Sequence, residues 1–311
     1  MGYSARYHAA SLAAVFHALA IGILIGAGIG DDVLSGTSQS LERSLEDDLQ
    51  NAREREDELA GELERERTFG LRTYPALVDD RLRGRKVGVI ALGALPEQLA
   101  GEIEATVDPT GARLSKVAVL RQPPDLSGLS GRLGESFRDL PQDPAQVERL
   151  GRKLGSQLVR GGGFVATARE QLLDRFSGSP GRLDDVIVVL APPADLPSGE
   201  REVAGPFEDG VLAGIVAAGR PAVGVELRAT SPSAVPAYAA HEIPTVDSLD
   251  LTSGKLAAVF ALLGAKGDFG VKETADALLP EVVLPAPERG RSASRPAGGA
   301  ADEPPGGAGA P

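Results

Sequence analysis

Three histidines, His8, His17 and His241, are the only imidazoles in a chain of 311 residues that contains no cysteine and a single methionine, Met1. Metal ligation would therefore rest on imidazole and carboxylate, while thiolate sites, disulfides and thiol nucleophiles are excluded. His17, inside an apolar run, and His241, in the second half of the chain, are the metal-ligand candidates. His8 and His17 are nine residues apart, about 900° of helical rotation, so one helix cannot bring both to one ion. A Ser-His-Asp hydrolase needs a base, and His241 has no G-x-S-x-G to accompany it. Asp184 with Asp185, and Asp247 with Asp250, have the spacing of paired carboxylates, although acidic pairs at strand or helix starts usually act as caps and solvated turns.

The glycine motifs are equally sparing. "GALPEQL" after Leu92 holds one glycine rather than G-x-G-x-x-G, so no dinucleotide fingerprint is present. "SGKL" (253–256) lacks the upstream glycine and the hydroxyl residue after Lys255 that a P-loop needs, and "DFG" (268–270) has no H-R-D partner. "RGGGF" (160–164) reads as a glycine cap at a helix C-terminus in preference to an anion nest. No catalytic residue and no cofactor is assigned, and an enzyme is not expected. With 32 Lys and Arg against 44 Asp and Glu, a net charge of -12, nucleic acid is not an expected partner.

Residues 9–29 carry no fixed charge, and at 1.5 Å each they give about 31 Å of helix, matching a hydrocarbon core of about 30 Å. Nine strongly apolar residues among them supply roughly 3 to 5 kcal/mol of favourable insertion free energy, enough to tolerate a neutral His17 hydrogen-bonded to a helix partner. A secretory signal peptide is the competing reading. The run exceeds the usual h-region of about 7 to 15 residues, so an uncleaved transmembrane helix over 9–30 is expected, after a cytoplasmic segment, 1–8. Arg6 precedes the span, Asp31 and Asp32 follow it, and the next basic residue is Arg43. The positive-inside rule then puts the N-terminus in the cytoplasm and the bulk of the chain outside the cell membrane. Ala14, Ala18, Gly22, Gly26 and Gly30 recur at every fourth position. Such a small stripe lets two membrane helices approach closely, although 39 glycines in the chain make the spacing less telling.

Residues 40–69 are rich in helix formers, lack proline and contain one central glycine, Gly61. Leu45, Leu49, Ala52, Glu56, Leu59 and Leu63 follow 4-3-4-3-4 spacing, a coiled-coil seam of Leu45, Leu49, Ala52, Leu59 and Leu63 with Glu56 as an acidic interruption. A charged stalk over 31–70, capped at its start by Asp32 or Ser35, is expected to form a parallel homodimer. A solvated single helix is the plainer reading.

From residue 75 the pattern changes. "KVGVIAL" (86–92), "SKVAVL" (115–120), "DVIVVLA" (185–191) and "PAVGVEL" (221–227) read as strands, separated by the helical "PEQLAGEIEATV", "PAQVERLGRKLGSQLV" and "PFEDGVLAGIVAAG" and followed by a last helix over 252–263. Continuous apolar strands alternating with helices predict a three-layer α/β domain over 75–284 with a mostly parallel sheet. Residues 285–311, mostly Pro, Gly and Ala, are expected to be a disordered tail.

"YHAASLAAVFHALAIGILIGAG" with its acidic helical sequel, and "IPTVDSLDLTSGKLAAVFALLGAKGDFGVKETADALLP" (243–280), resemble the mycobacterial copper transport protein B family, MctB, over about residues 3–285. His17 departs from that family's pattern. The resemblance implies copper resistance, as a channel or efflux component. A related actinobacterial branch, the SteB-type proteins, implies instead a scaffold for cell separation that works with a division or cell-envelope partner and a peptidoglycan hydrolase. Copper enters only through the resemblance, because copper(I) favours Cys and Met ligands. The anchor, stalk and external domain suit the scaffold.

Overall fold

The structure, a computed structural model, describes residues 5–281 apart from 141 and 194, and leaves aside the side chains of 5–6, 27–43 and 130. The tail at 285–311, and residues 1–4 of the expected cytoplasmic segment, lie outside the described residues.

The chain begins with one helix, α1 (Ala5–Val78), of 74 residues, about 110 Å long. Its backbone is helical through the expected stalk start, so there is no helix N-terminus there for Asp32 or Ser35 to cap. Pro75 lies inside its last turn, where the lost N–H costs little because the Leu71 carbonyl is close to the helix end. Then follow β1 (Lys86–Gly93), α2 (Glu97–Val107), β2 (Arg113–Leu120), α3 (Leu129–Leu133), α4 (Pro144–Arg160), α5 (Phe164–Leu172), β3 (Leu173–Gly178), β4 (Asp185–Ala191), α6 (Ser198–Ala217), β5 (Ala222–Val225), α7 (Val235–Ala239), β6 (Thr245–Val246), α8 (Thr252–Leu262) and β7 (Asp268–Phe269).

The strands form one sheet in the order β3-β2-β1-β4-β5-β6-β7. Every pairing is parallel except β2 with β3. Alternate residues of the central strands feed two cores, as the two-residue period of a strand requires. Val87, Val89, Ala91, Ile187 and Val189 face α2, α8 and the end of α1. Ile90, Leu92, Val186, Val188 and Leu190 face α4, α5 and α6. The expected three-layer α/β domain is therefore present, with the stalk's last turns supplying part of one layer.

On that layer Tyr74 and Val78 of α1 are buried, and the Tyr74 hydroxyl donates to the Thr106 carbonyl at 2.7 Å. A Cβ on Gly70 would stand 2.8 Å from the Thr252 hydroxyl, so α1 and the start of α8 meet there at glycine distance.

On the other layer α4 and α6 lie parallel and touch through glycine. A Cβ on Gly151 would run into the Phe207 carbonyl, one on Gly155 into that of Val211, one on Gly210 into that of Glu148 and one on Gly214 into that of Arg152. Both helices thus present a small residue every fourth position, the geometry in which i±4 ridges interlock. The expected glycine cap is also found: Gly161 ends α4 at φ 79° and donates its N–H to the Gln157 carbonyl.

Glycine to alanine inside a helix normally stabilises by about 1 kcal/mol. Gly101 of α2 has open space around it, so Gly101→Ala should raise the thermal midpoint of the full chain in detergent. Gly155→Ala should instead lower it, by an overpacking cost of about 1 to 3 kcal/mol. An equal gain at both positions would mean that α4 and α6 do not meet at backbone distance.

Candidate functional site

Open parallel sheets bind ligands beyond the C-terminal ends of their strands, where neighbouring crossovers leave toward opposite faces. Here that point lies between β1 and β4. The loops after them are short, with Asp195 their one charged residue, and they bond to each other: the Ala94 N–H donates to the Ala191 carbonyl at 3.0 Å. Gly93, at φ 87°, is required because a Cβ would strike that carbonyl. Beyond the point where β5 stops pairing, Tyr238 completes β4. Its hydroxyl accepts from the Leu190 N–H at 2.7 Å and donates to the Val188 carbonyl at 3.2 Å. Its ring lies against Gly224, which leaves no room for a side chain on β5. The crevice that holds ligands in related architectures is filled by the protein itself.

Polar side chains gather one step further along the sheet, after β5, β6 and β7. Glu226, 2% exposed, accepts from the Ser233 hydroxyl at 2.7 Å, the Ala234 N–H at 2.7 Å and the Lys272 ammonium at 2.5 Å. Lys272 also donates to the Thr230 carbonyl at 2.8 Å. Asp247, 1% exposed, accepts from the backbone N–H groups of Val271 and Lys272, each at 2.9 Å. Gly270, at φ 145°, leaves the space that its carboxylate fills. These groups clamp the chain after β7 onto the sheet. The work is structural: each carboxylate is saturated by donors from the same chain. Sequence reasoning missed Glu226 and Lys272; the one signal was Glu226, a charged residue near the end of the apolar run 221–227.

The sequence candidates are dispersed. Asp247 and Asp250 serve different segments, Asp250 accepting from the Arg228 N–H at 2.9 Å. Asp184 and Asp185 also diverge: Asp184 accepts from the Lys86 N–H at 3.0 Å, while Asp185, fully buried at the start of β4, binds the Arg85 guanidinium through one oxygen. Its other oxygen has no partner. Burial pushes the Asp185 carboxyl up to about 7, against the pull of Arg85. His241 stands 3.3 Å from Asp209 near the surface. His17 bonds within its own helix, Nδ1 donating to the Ala13 carbonyl at 2.9 Å, and its other ring nitrogen points away from that bond. Among the described residues no three His, Asp or Glu side chains come together as a metal site.

The outward features lie on α1. Tyr7–Gly26 is long and apolar enough to cross a membrane, and none of it is buried. Gly22 and Gly26 face open space, as do the side chains of Ala14 and Ala18. Gly30 lies outside the described surroundings. Leu45, Leu49, Ala52, Leu59 and Leu63 are all exposed.

An apolar membrane-length helix continuous with a helical stalk and an α/β domain defines a membrane-associated protein that carries its folded domain on a rod. Residues 3–280 match the family described as copper transport outer membrane protein, MctB, and the chain belongs to that family. Proteins named copper transporter MctB from Mycobacterium bovis and Mycobacterium tuberculosis are 28% identical to it over 294 residues, covering 83% of this chain and 91% of theirs. The open sheet described here, with parallel strands and helices on both faces, is a different construction from the closed antiparallel barrel of an outer-membrane channel.

Asp247→Ala removes the acceptor of two partly buried N–H groups, so it should lower stability by about 1 kcal/mol or more in urea titrations of the full chain. Gly270→Ala should do at least as much harm, and neutrality of both would remove the clamp. For Asp185 the folded value, about 7, lies above the ordinary 3.8. Its protonation therefore favours the folded state: that stabilisation is full below about pH 4 and is lost as pH rises through about 7. Asp185→Asn cannot titrate, so between pH 5 and 8 its stability relative to the parent should improve, by about 3 kcal/mol at most. Parallel curves for the two proteins would show that Asp185 ionises normally.

Proposed function

We propose that this protein is a membrane-anchored envelope component serving copper transport or copper homeostasis, without enzymatic chemistry and through oligomers or partners. The observation that carries the reading is the family match along residues 3–280, together with relatives named copper transporters. The chain's own ligands constrain how it could act. Copper(I) prefers thiolate and thioether donors, and only Met1 offers one. His17 commits one nitrogen to Ala13. One membrane-crossing helix encloses no pathway alone, so several copies or a partner must build it. We place the N-terminus in the cytoplasm and the α/β domain outside the membrane, and we read the small stripe and the leucine seam as the contacts of a parallel homodimer.

The exposed seam favours one further reading, a scaffold of the SteB type that holds a division or cell-envelope partner such as a peptidoglycan hydrolase. Deleting the gene in its native host separates the two. The expected result is growth arrest at copper levels the parent tolerates, with cell-associated copper raised several-fold by elemental analysis and septation normal. Chained, unseparated cells with unchanged copper would replace transport by the scaffold.

A further inference from the structure

The stalk bears exposed leucines and a set of charges that, among the described residues, find no partner within one copy. Leu45, Leu49, Leu59 and Leu63 are 51–71% exposed. Among the described residues, Asp48, Arg53, Arg55, Glu56, Glu62 and Arg67 are exposed and take part in none of the ion pairs. Set on heptads, Leu45, Ala52 and Leu59 occupy d positions and Leu49, Glu56 and Leu63 occupy a positions. Arg53 and Arg67 are then e residues, and Asp48, Arg55 and Glu62 are g residues.

In a parallel pair, a g residue faces the e residue five positions later on the other helix. Asp48 then meets Arg53 of the second copy, and Glu62 meets Arg67 of the second copy. Glu56, the acidic interruption of the seam, lies beside Arg55 of the second copy, because a residues are flanked by g residues across the interface. An antiparallel pair would send the two membrane-length segments Tyr7–Gly26 in opposite directions along the rod, whereas a parallel pair sets both at the same end. The next a position, Gly70, is already pressed against Thr252 of its own α8, so pairing has a built-in end.

We propose that the stalk's charges specify a second copy of this chain, bound parallel and in register over residues 45–67. This rests on the homodimer reading above, and adds to it the sense, the register and the residues that set them.

The chain has no cysteine, so Ala52→Cys places one thiol per copy on the seam. Full-length protein in membrane vesicles, treated with a short bis-maleimide, should form a crosslinked dimer. Adding Arg53→Glu with Arg67→Glu should reduce that product at least fivefold, and adding Asp48→Arg with Glu62→Arg should do the same. Coexpressing the two variants should restore it as the mixed dimer, distinguished by a size tag on one of them. All four positions are exposed, and retained helicity by circular dichroism checks folding. Crosslinking that ignores both charge reversals would leave the homodimer standing and overturn the charge code. Absence of any product at Ala52→Cys, while Gly22→Cys crosslinks, would overturn pairing along the stalk and leave association to the membrane helix.

Discussion

The Tyr74 hydroxyl, closing 2.7 Å onto the Thr106 carbonyl, and Val78, wholly buried beside it, make the last two turns of α1 part of the domain's core. A helix advances 100° per residue, so Gly70 lies about 20° from Leu63 around the axis and Tyr74 about 20° to the other side. The face that carries the leucine seam is therefore the face that docks on α8 and α2. Up to Glu66 it is open, and from Gly70 it is covered by the chain itself. Because α1 runs as one helix from Ala5 to Val78, the seam and the docked turns share one rod, and any partner on the seam must stop where α8 begins.

The α4 and α6 contact obeys a second close-approach rule. Gly151, Gly155, Gly210 and Gly214 each cost helix propensity of about 1 kcal/mol relative to alanine. The return is backbone contact, dispersion spread over two helices that could not otherwise lie so near the sheet. Gly22 and Gly26 repeat that spacing in the apolar segment with nothing against them. Small residues at intervals of four thus appear once with a partner, in the folded domain, and once without, on a surface suited to lipid or to another helix.

Four of the strands and the helices α2, α4, α6 and α8 were legible because their apolar periods are long and undisturbed. β3, "LDRFSG", was not: as an antiparallel edge strand it needs neither a continuous apolar run nor strong alternation. β6 and β7, two residues each, give no period at all. The glycine spacing was read at 22, 26 and 30 and missed at 151, 155, 210 and 214, where charged neighbours such as Arg152 and Lys153 hide it. The pairing of Glu226 with Lys272, 46 residues apart, has no local signature, since a clamp closed by topology exists only after the sheet has formed. The bond from His17 to Ala13 was within reach, because four residues is one helical turn.

The domain's buried charges share this inward character. Lys116, 2% exposed on β2, donates to the Leu158 and Gly181 carbonyls, so an ammonium sits at the C-terminal end of α4, where the helix dipole favours it. Burial still lowers its pKa to about 8. Glu226, Asp247 and Tyr238 spend their polar atoms in the same way, on the chain's own backbone and loops. These groups are spent on holding the domain together. Its unspent surface is instead the exposed face of α1, where leucines, unpaired charges and small residues are presented along one rod, and recognition by another helix is what that surface is equipped for.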